Sequence, residues 1–348
     1  MTAVRVGSAS FRLRRRSMVV VLAGLAVLLA LVVVDITSGD FPLTVNQVLD
    51  VLLGGGTRRD QFVVFELRLP RTLTGLLVGG ALGLSGAIFQ SIVRNPLASP
   101  DLLGITWGAG AGAVTVITFA GSLGSITGPY AEFGLPLAGL LGGLTAGLLV
   151  YALAWRKGIE GFRMVLIGIG VTAVAANLTQ YLLTVGDVTD AARAMVWITG
   201  SLNGRGWEHV VPIAIALTLL IPAALVQAHV LGALQFGDET SKGLGVRVDK
   251  SRTVLILIAI VLASVATAAA GPIAFVALAT PQIALRLART ATPPLFGSVV
   301  LGGVLTVLAD LVARTIYRIE LPVGVVTAVL GAPYLMYLLV RSRREARI

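Results

Sequence analysis

The residues of this chain whose types and spacing could do chemistry are polar and charged side chains set among apolar runs. Asn177, Gln180 and Thr184 stand at spacings of three and four within the run Met164–Val185. On a helix that spacing puts them on one face. Amide and hydroxyl groups so placed line a water-filled path or hydrogen-bond a neighbouring helix. Arg68, Arg71 and Arg314 lie at the ends of other apolar runs. A guanidinium there can grip a carboxylate with its fork, snorkel to the interface or, for Arg314, pair with Asp310 four residues earlier. The densest cluster is QFGDETSKGLGVRVDKSR, Gln235–Arg252, with seven formal charges in eighteen residues between two long apolar blocks. It is either a solvated loop or a surface that touches a soluble partner.

Covalent chemistry has no candidate set. There is no metal-ligand spacing and no Ser–His–Asp arrangement. The chain holds no cysteine and only two histidines, His209 and His229, which excludes disulfides, zinc–thiolate sites and iron–sulfur clusters. No G-x-x-x-x-G-K-S/T motif occurs; SKGLG has the lysine without the loop. The reading is a non-enzyme with no cofactor of its own. Active transport would take its energy from another polypeptide.

The elements that must position these residues are membrane helices. Of 348 residues, 56% are hydrophobic and 13% charged, with a mean hydropathy of +0.92. A soluble domain carries about a quarter charged residues, so the class is an all-α polytopic membrane protein. The 41 glycines suit helices that approach closely in lipid. A net charge of +10 would suggest nucleic acid in a soluble protein. Here an excess of Lys and Arg in cytoplasmic loops accounts for it.

Ten spans are expected, at about 18–34, 67–92, 105–120, 135–154, 164–185, 209–227, 253–270, 273–287, 296–316 and 323–340, in one domain over residues 18–340. A basic N-terminus at 1–17 and a basic tail at 341–348 both lie in the cytoplasm on this reading, and the inside segments carry most of the 27 Lys and Arg residues. The first apolar run has the look of a signal peptide, but no A-x-A-like site follows, so it is read as an uncleaved helix. Outside lie a loop at 35–66 with a short amphipathic segment Thr44–Leu53, a loop at 121–134, and a segment 186–208 with an interfacial helix between Trp197 and Trp207. Inside, RNPLASPDLLG (Arg94–Gly104) is a turn, with Asn95, Pro96, Pro100 and Asp101 in structural roles.

Several strings together are similar to one family. LRLPRTL (Leu67–Leu73), LSGAIFQSIVRNPLASPDLLGITWGAGAG (Leu84–Gly112), GDETSKGLGV (Gly237–Val246), AGPIAFVALATPQIALRLAR (Ala270–Arg289), LADLVAR (Leu308–Arg314) and ELPVGVVTAVLGAPYLMYLL (Glu320–Leu339) resemble the FecCD-type permeases. These are membrane subunits of binding-protein-dependent ABC importers for iron–siderophores, haem and cobalamin. The resemblance implies the type II ABC importer permease fold, ten helices per subunit, in a bacterial cytoplasmic membrane. It implies a second permease, identical or related, around a central pathway. It also implies two ATP-binding subunits that use ATP and Mg, and an extracytoplasmic binding protein.

By the same resemblance, the segment 235–252 would dock on the ATPase. Asp238, Glu239 and Lys242 would form its rim, Leu244 and Val246 its apolar contacts, and Gly243 and Gly245 the helix end. Arg68, Arg71 and Arg314 would meet carboxylates of the binding protein. Asn177, Gln180 and Thr184 would line the pathway. Gln282 stands where the family usually has histidine, and Ala277 where it often has glycine; a packing role is expected at position 282. The expected cargo is an iron(III)–siderophore, with cobalamin or haem as the alternative. An ion-coupled secondary transporter would need a midplane ionisable site, and a membrane enzyme clustered His, Asp or Glu; neither stands out.

Overall fold

The computed structural model describes residues 2–6, 9–13, 15–39, 41–120, 129–156, 158–316 and 320–345. A short antiparallel pair, β1 (Thr2–Val6) and β2 (Ala9–Leu13), precedes a helical body. In chain order its helices are α1 (Arg15–Thr37), α2 (Val45–Leu52), α3 (Arg58–Phe62), a π-helical turn (Val63–Arg68) and α4 (Leu69–Val93). Then come α5 (Ile105–Ala120), α6 (Pro129–Ala154), α7 (Gly161–Val185), α8 (Val188–Ile198), α9 (Trp207–Val226), α10 (Ala228–Leu234) and α11 (Asp238–Gly243). The last four are α12 (Val248–Ala270), α13 (Val276–Ala288), α14 (Leu295–Thr315) and α15 (Val323–Glu345). Among the described residues, 7 helices are long and apolar enough to cross a membrane, and α5, α13 and α15 contribute shorter apolar stretches. The chain is a helical multi-pass membrane protein.

α4 is the hub. It packs on α14, α12, α13 and α9, and nearly its whole length is buried. Its small residues make this possible. A methyl group added at Gly79 would overlap the Gly302 carbonyl, and one added at Gly86 would overlap the Ala277 carbonyl. Only glycine lets those backbones come so close. Ala277, where the resemblance anticipates glycine, is therefore accommodated by Gly86 across from it.

Several boundaries differ from the sequence reading. The second span does not begin at 67: helix runs from Arg58 through the π-turn into α4. Pro70 has no N–H to give to Glu66, and Leu69 N–H donates to Val64 O five residues back. The carbonyl of Phe65 is taken by the Trp207 indole at 2.9 Å. The amphipathic segment is α2, closed by a capping box in which Thr44 and Gln47 satisfy each other's backbone N–H groups. Of the expected loop 121–134, residues 121–128 lie outside the described residues, and α6 begins at Pro129. The helix anticipated between Trp197 and Trp207 lies earlier, as α8; Gly200 and Gly204, both at positive φ, end helical structure there. Of the basic tail, residues 341–345 continue α15 and 346–348 lie outside the described residues.

The eighth span is shorter than expected. Residues 271–275 are not helical, and Phe275 takes φ +67° before α13 starts. A 13-residue helix reaches about 20 Å, less than the ~30 Å hydrocarbon core. Non-helical backbone at that depth needs protein partners. It has them: the Pro272 carbonyl is packed against Gly200 and Gly324, where an added methyl would overlap it, and Gly271 N–H donates to Thr267 O at 2.8 Å.

Gly79→Leu should lower the thermal unfolding midpoint of the detergent-solubilised chain by several degrees. Gly170→Leu, facing open space, should leave it within about a degree, the range of a surface substitution. Scanning fluorimetry on both variants measures the difference.

Candidate functional site

Two polar sites lie at opposite ends of α4. At its C-terminal end is the charged segment, which follows α10 and folds as α11 and the first turn of α12. α11 is held by Ser241, whose hydroxyl donates to Ala233 O and Gly237 O. Glu239 and Lys242 point outward. Leu244 is 67% exposed and Phe236 72%, so two large apolar side chains bracket the charged turn. The sequence reading missed Phe236; an aromatic residue just before a charged helix was its signal. Gly245, at φ +82°, makes the turn that leaves α11. Val246, expected as an apolar contact, is half-buried and packs against the core beside α12, its N–H bonded to Ser241 O.

Asp238, expected on the rim, is half-exposed and is also tied to two arginines of the chain. Its Oδ1 accepts from Arg94 Nη2 and Arg252 Nη2, each at 2.8 Å, and its Oδ2 accepts from Arg252 Nη1 at 3.0 Å. The Arg252 hydrogen bond, with both guanidinium charges, holds the Asp238 carboxyl below the usual carboxylate range against partial burial. Arg252 lies inside the seven-charge segment, yet it is buried.

At the N-terminal end of α4 the three expected docking arginines converge with acids from distant segments. Arg71 forks onto Asp310, with Nη2 at 2.8 Å and Nε at 3.0 Å, and reaches Glu320 at 3.3 Å. Arg314 pairs with Asp35 and stands 3.5 Å from Asp310. Arg68 donates to the carbonyls of Ile36 and Phe41. All three are largely buried, so each fork is engaged within the chain. Asp35, read from sequence as the start of a loop, is 1% exposed at the end of α1. A single acid closing an apolar run was the available sign.

Asn177, Gln180 and Thr184 share an exposed stripe on α7. Asn177 and Thr184 also bond back to carbonyls four residues earlier, at 2.8 and 2.9 Å. None of the three lines the cavity of about 620 Å³ beside α5. That cavity lies among α5, the lead-in to α13 and α15, with Trp107, Gly110, Phe275 and Ala328 on mostly apolar walls. Asp101 is its acidic member; its Oδ1 accepts from Thr106 at 2.6 Å, and burial pushes its carboxyl above the usual range. Gln282 donates to Gln90 Oε1 at 2.7 Å, and Gln90 in turn to Leu278 O at 3.0 Å, a closed amide link between α13 and α4. The described residues hold no group of three or more His, Cys, Asp or Glu that could bind a metal ion.

The chain is similar to known proteins along most of its length. Residues 27–341 match the FecCD transport family. The ferric enterobactin transport system permease protein FepG of Escherichia coli (strain K12) is 42% identical over 310 residues, 88% of this chain and 91% of that protein. The iron(3+)-hydroxamate import system permease protein FhuG of Bacillus subtilis (strain 168) is 39% identical, covering 89% and 93%. A solved metal-chelate type ABC transporter in an inward-facing conformation superposes with a TM-score of 0.79 at 27% identity, over 93% of this chain and 99% of that one.

Breaking the arginine network should separate its buried and exposed halves. Asp310→Asn leaves two guanidinium groups short of a partner and should cost about 3 kcal/mol or more. Glu320→Gln, on a half-exposed side chain, should cost less than about 1 kcal/mol. Reversible unfolding in detergent micelles measures both.

Proposed function

The chain belongs to the FecCD transport family, and from that membership we propose that it is the membrane permease subunit of an ATP-driven, binding-protein-dependent importer of iron(III)–siderophores. The observation that carries the reading is the match across nearly the whole chain to permeases of iron-chelate systems. The chain makes ten passes with both termini in the cytoplasm of a bacterial inner membrane. It works beside a second permease of the same or a related kind. Two ATP-binding subunits supply the energy, consuming ATP and Mg; this chain does no covalent chemistry.

Phe236 and Leu244 support the ATPase contact. Two exposed apolar side chains on a charged turn outside the bilayer suit a groove on a soluble partner. The cavity beside α5, α13 and α15 forms one wall of the pathway, and Asn177, Gln180 and Thr184 on α7 form another. Substrate passes between the two permeases as they alternate between outward-open and inward-open states. Docking of the binding protein on Arg68, Arg71 and Arg314 proceeds by exchange: its carboxylate reaches Arg71 by displacing Glu320, the half-exposed member of the network.

Proteoliposomes containing this chain, its partner permease and ATPase, and the loaded binding protein should accumulate a ferric siderophore only with ATP inside. Accumulation of cobalamin or haem instead would overturn the cargo. Uptake driven by a proton or sodium gradient without ATPase would overturn the class. Leu244→Asp should abolish uptake while the chain still inserts. Glu320→Gln should tighten capture of the binding protein, measured by surface plasmon resonance on nanodisc-held complex; unchanged affinity would remove the exchange.

A further inference from the structure

Asp238 sits where three separate cytoplasmic pieces meet. It opens α11, the short helix between Phe236 and Leu244. One of its oxygens takes Arg94, the residue that ends α4 in a left-handed conformation at φ +54°. Both of its oxygens take Arg252, one turn into α12. The same Arg252 Nη1 donates to Ile159 O at 2.7 Å, in the connection that leads into α7 two residues later. A solvated loop needs none of this. Arg252 is 5% exposed; one carboxylate and one carbonyl engage its two Nη groups, while its buried Nε has no hydrogen bond among the described residues. Moving α11 away from α12 would strand that buried charge, which is strongly unfavourable. α11 and α12 therefore move together. Arg94, with 39% of its side chain exposed, is the softer link to α4.

Resting on the importer reading, we infer that Asp238 is a positioning residue: the joint that carries a displacement of α11, imposed by the ATPase, into α4, α12 and the base of α7. The bidentate fork makes the joint stiff in the plane of the two side chains, where a single hydrogen bond would let them pivot. Its reach matches the demand. α4 is the packing hub, and α7 carries the polar stripe Asn177, Gln180 and Thr184 on its far half. Local sequence could not announce the joint, since Arg94 and Asp238 are 144 residues apart.

The absence of native cysteine supplies a test that needs no cargo. Gln180→Cys is made the only thiol of this chain, in the full complex in liposomes. Its labelling by a water-soluble maleimide is read on this chain's band, with and without ATP and vanadate. ATP hydrolysis is measured in the same vesicles. The parent should show a nucleotide-dependent change in labelling. Adding Asp238→Asn or Arg94→Gln should reduce that change, per ATP hydrolysed, by at least about five-fold, the low end of ordinary coupling between sites. Arg94→Lys, which keeps a charge facing the carboxylate, should restore part of it. A change kept in full by both variants would overturn the joint alone. Hydrolysis and labelling change lost in proportion would assign Asp238 to assembly and overturn it as well. No nucleotide-dependent change in the parent would overturn the importer reading and the joint with it. If Asp238→Asn fails to assemble, the half-exposed Arg94→Gln variant decides.

Discussion

Everything in this fold depends on how near α4 can come to its neighbours. Lipid tails are as apolar as leucine, so helices in a bilayer gain little by hiding apolar surface from them. What holds them is close packing over long contacts. Gly79 against Gly302 and Gly86 against Ala277 leave no room for a side chain on the glycine, and this closeness runs along most of α4. With the hub fixed, α12, α13 and α14 are placed around it. The unwound lead-in to α13 then becomes tolerable, because its backbone polar groups face other protein segments instead of lipid.

The charged groups follow a second rule. A buried charge is tolerable only when opposite charge and further hydrogen bonds meet it in good geometry. At one end of α4, Arg71 and Arg314 share Asp310, with Glu320 and Asp35 completing the set. At the other, one carboxylate serves Arg94 and Arg252. In both clusters the partners come from segments far apart in sequence. The hub therefore ends in two fixed polar knots with an apolar shaft between them.

Much of this was legible in the chain itself. The helical membrane class followed from hydropathy, and family membership from strings such as LRLPRTL and ELPVGVVTAVLGAPYLMYLL. The face shared by Asn177, Gln180 and Thr184 followed from spacing alone. What failed to show were properties that spacing cannot encode. An acid at the end of an apolar run looks the same whether it enters water, as read for Asp35, or turns inward to Arg314. Arg252 looked solvated because its neighbours are, yet its partners lie on α11 and on the connection into α7. The π-turn before Pro70 is set by where a freed carbonyl finds its partner, and that partner, Trp207, stands over a hundred residues away. The non-helical stretch before α13 is set by its packing on Gly200 and Gly324.

α1 is the least buried of the long helices, and its contacts explain how it stays in place. Arg16 near its start donates to Leu287 O at 2.8 Å, and Asp35 near its end pairs with Arg314. Between them Gly24 lies against Val300. The two tie points are 19 residues apart in sequence, about 28 Å along a helix and close to the thickness of the hydrocarbon core. α1 is thus a stay of fixed length, pinned at both leaflets. A thicker or thinner membrane cannot be met by sliding this helix, and the mismatch must be taken up by lipid or by tilting the whole subunit.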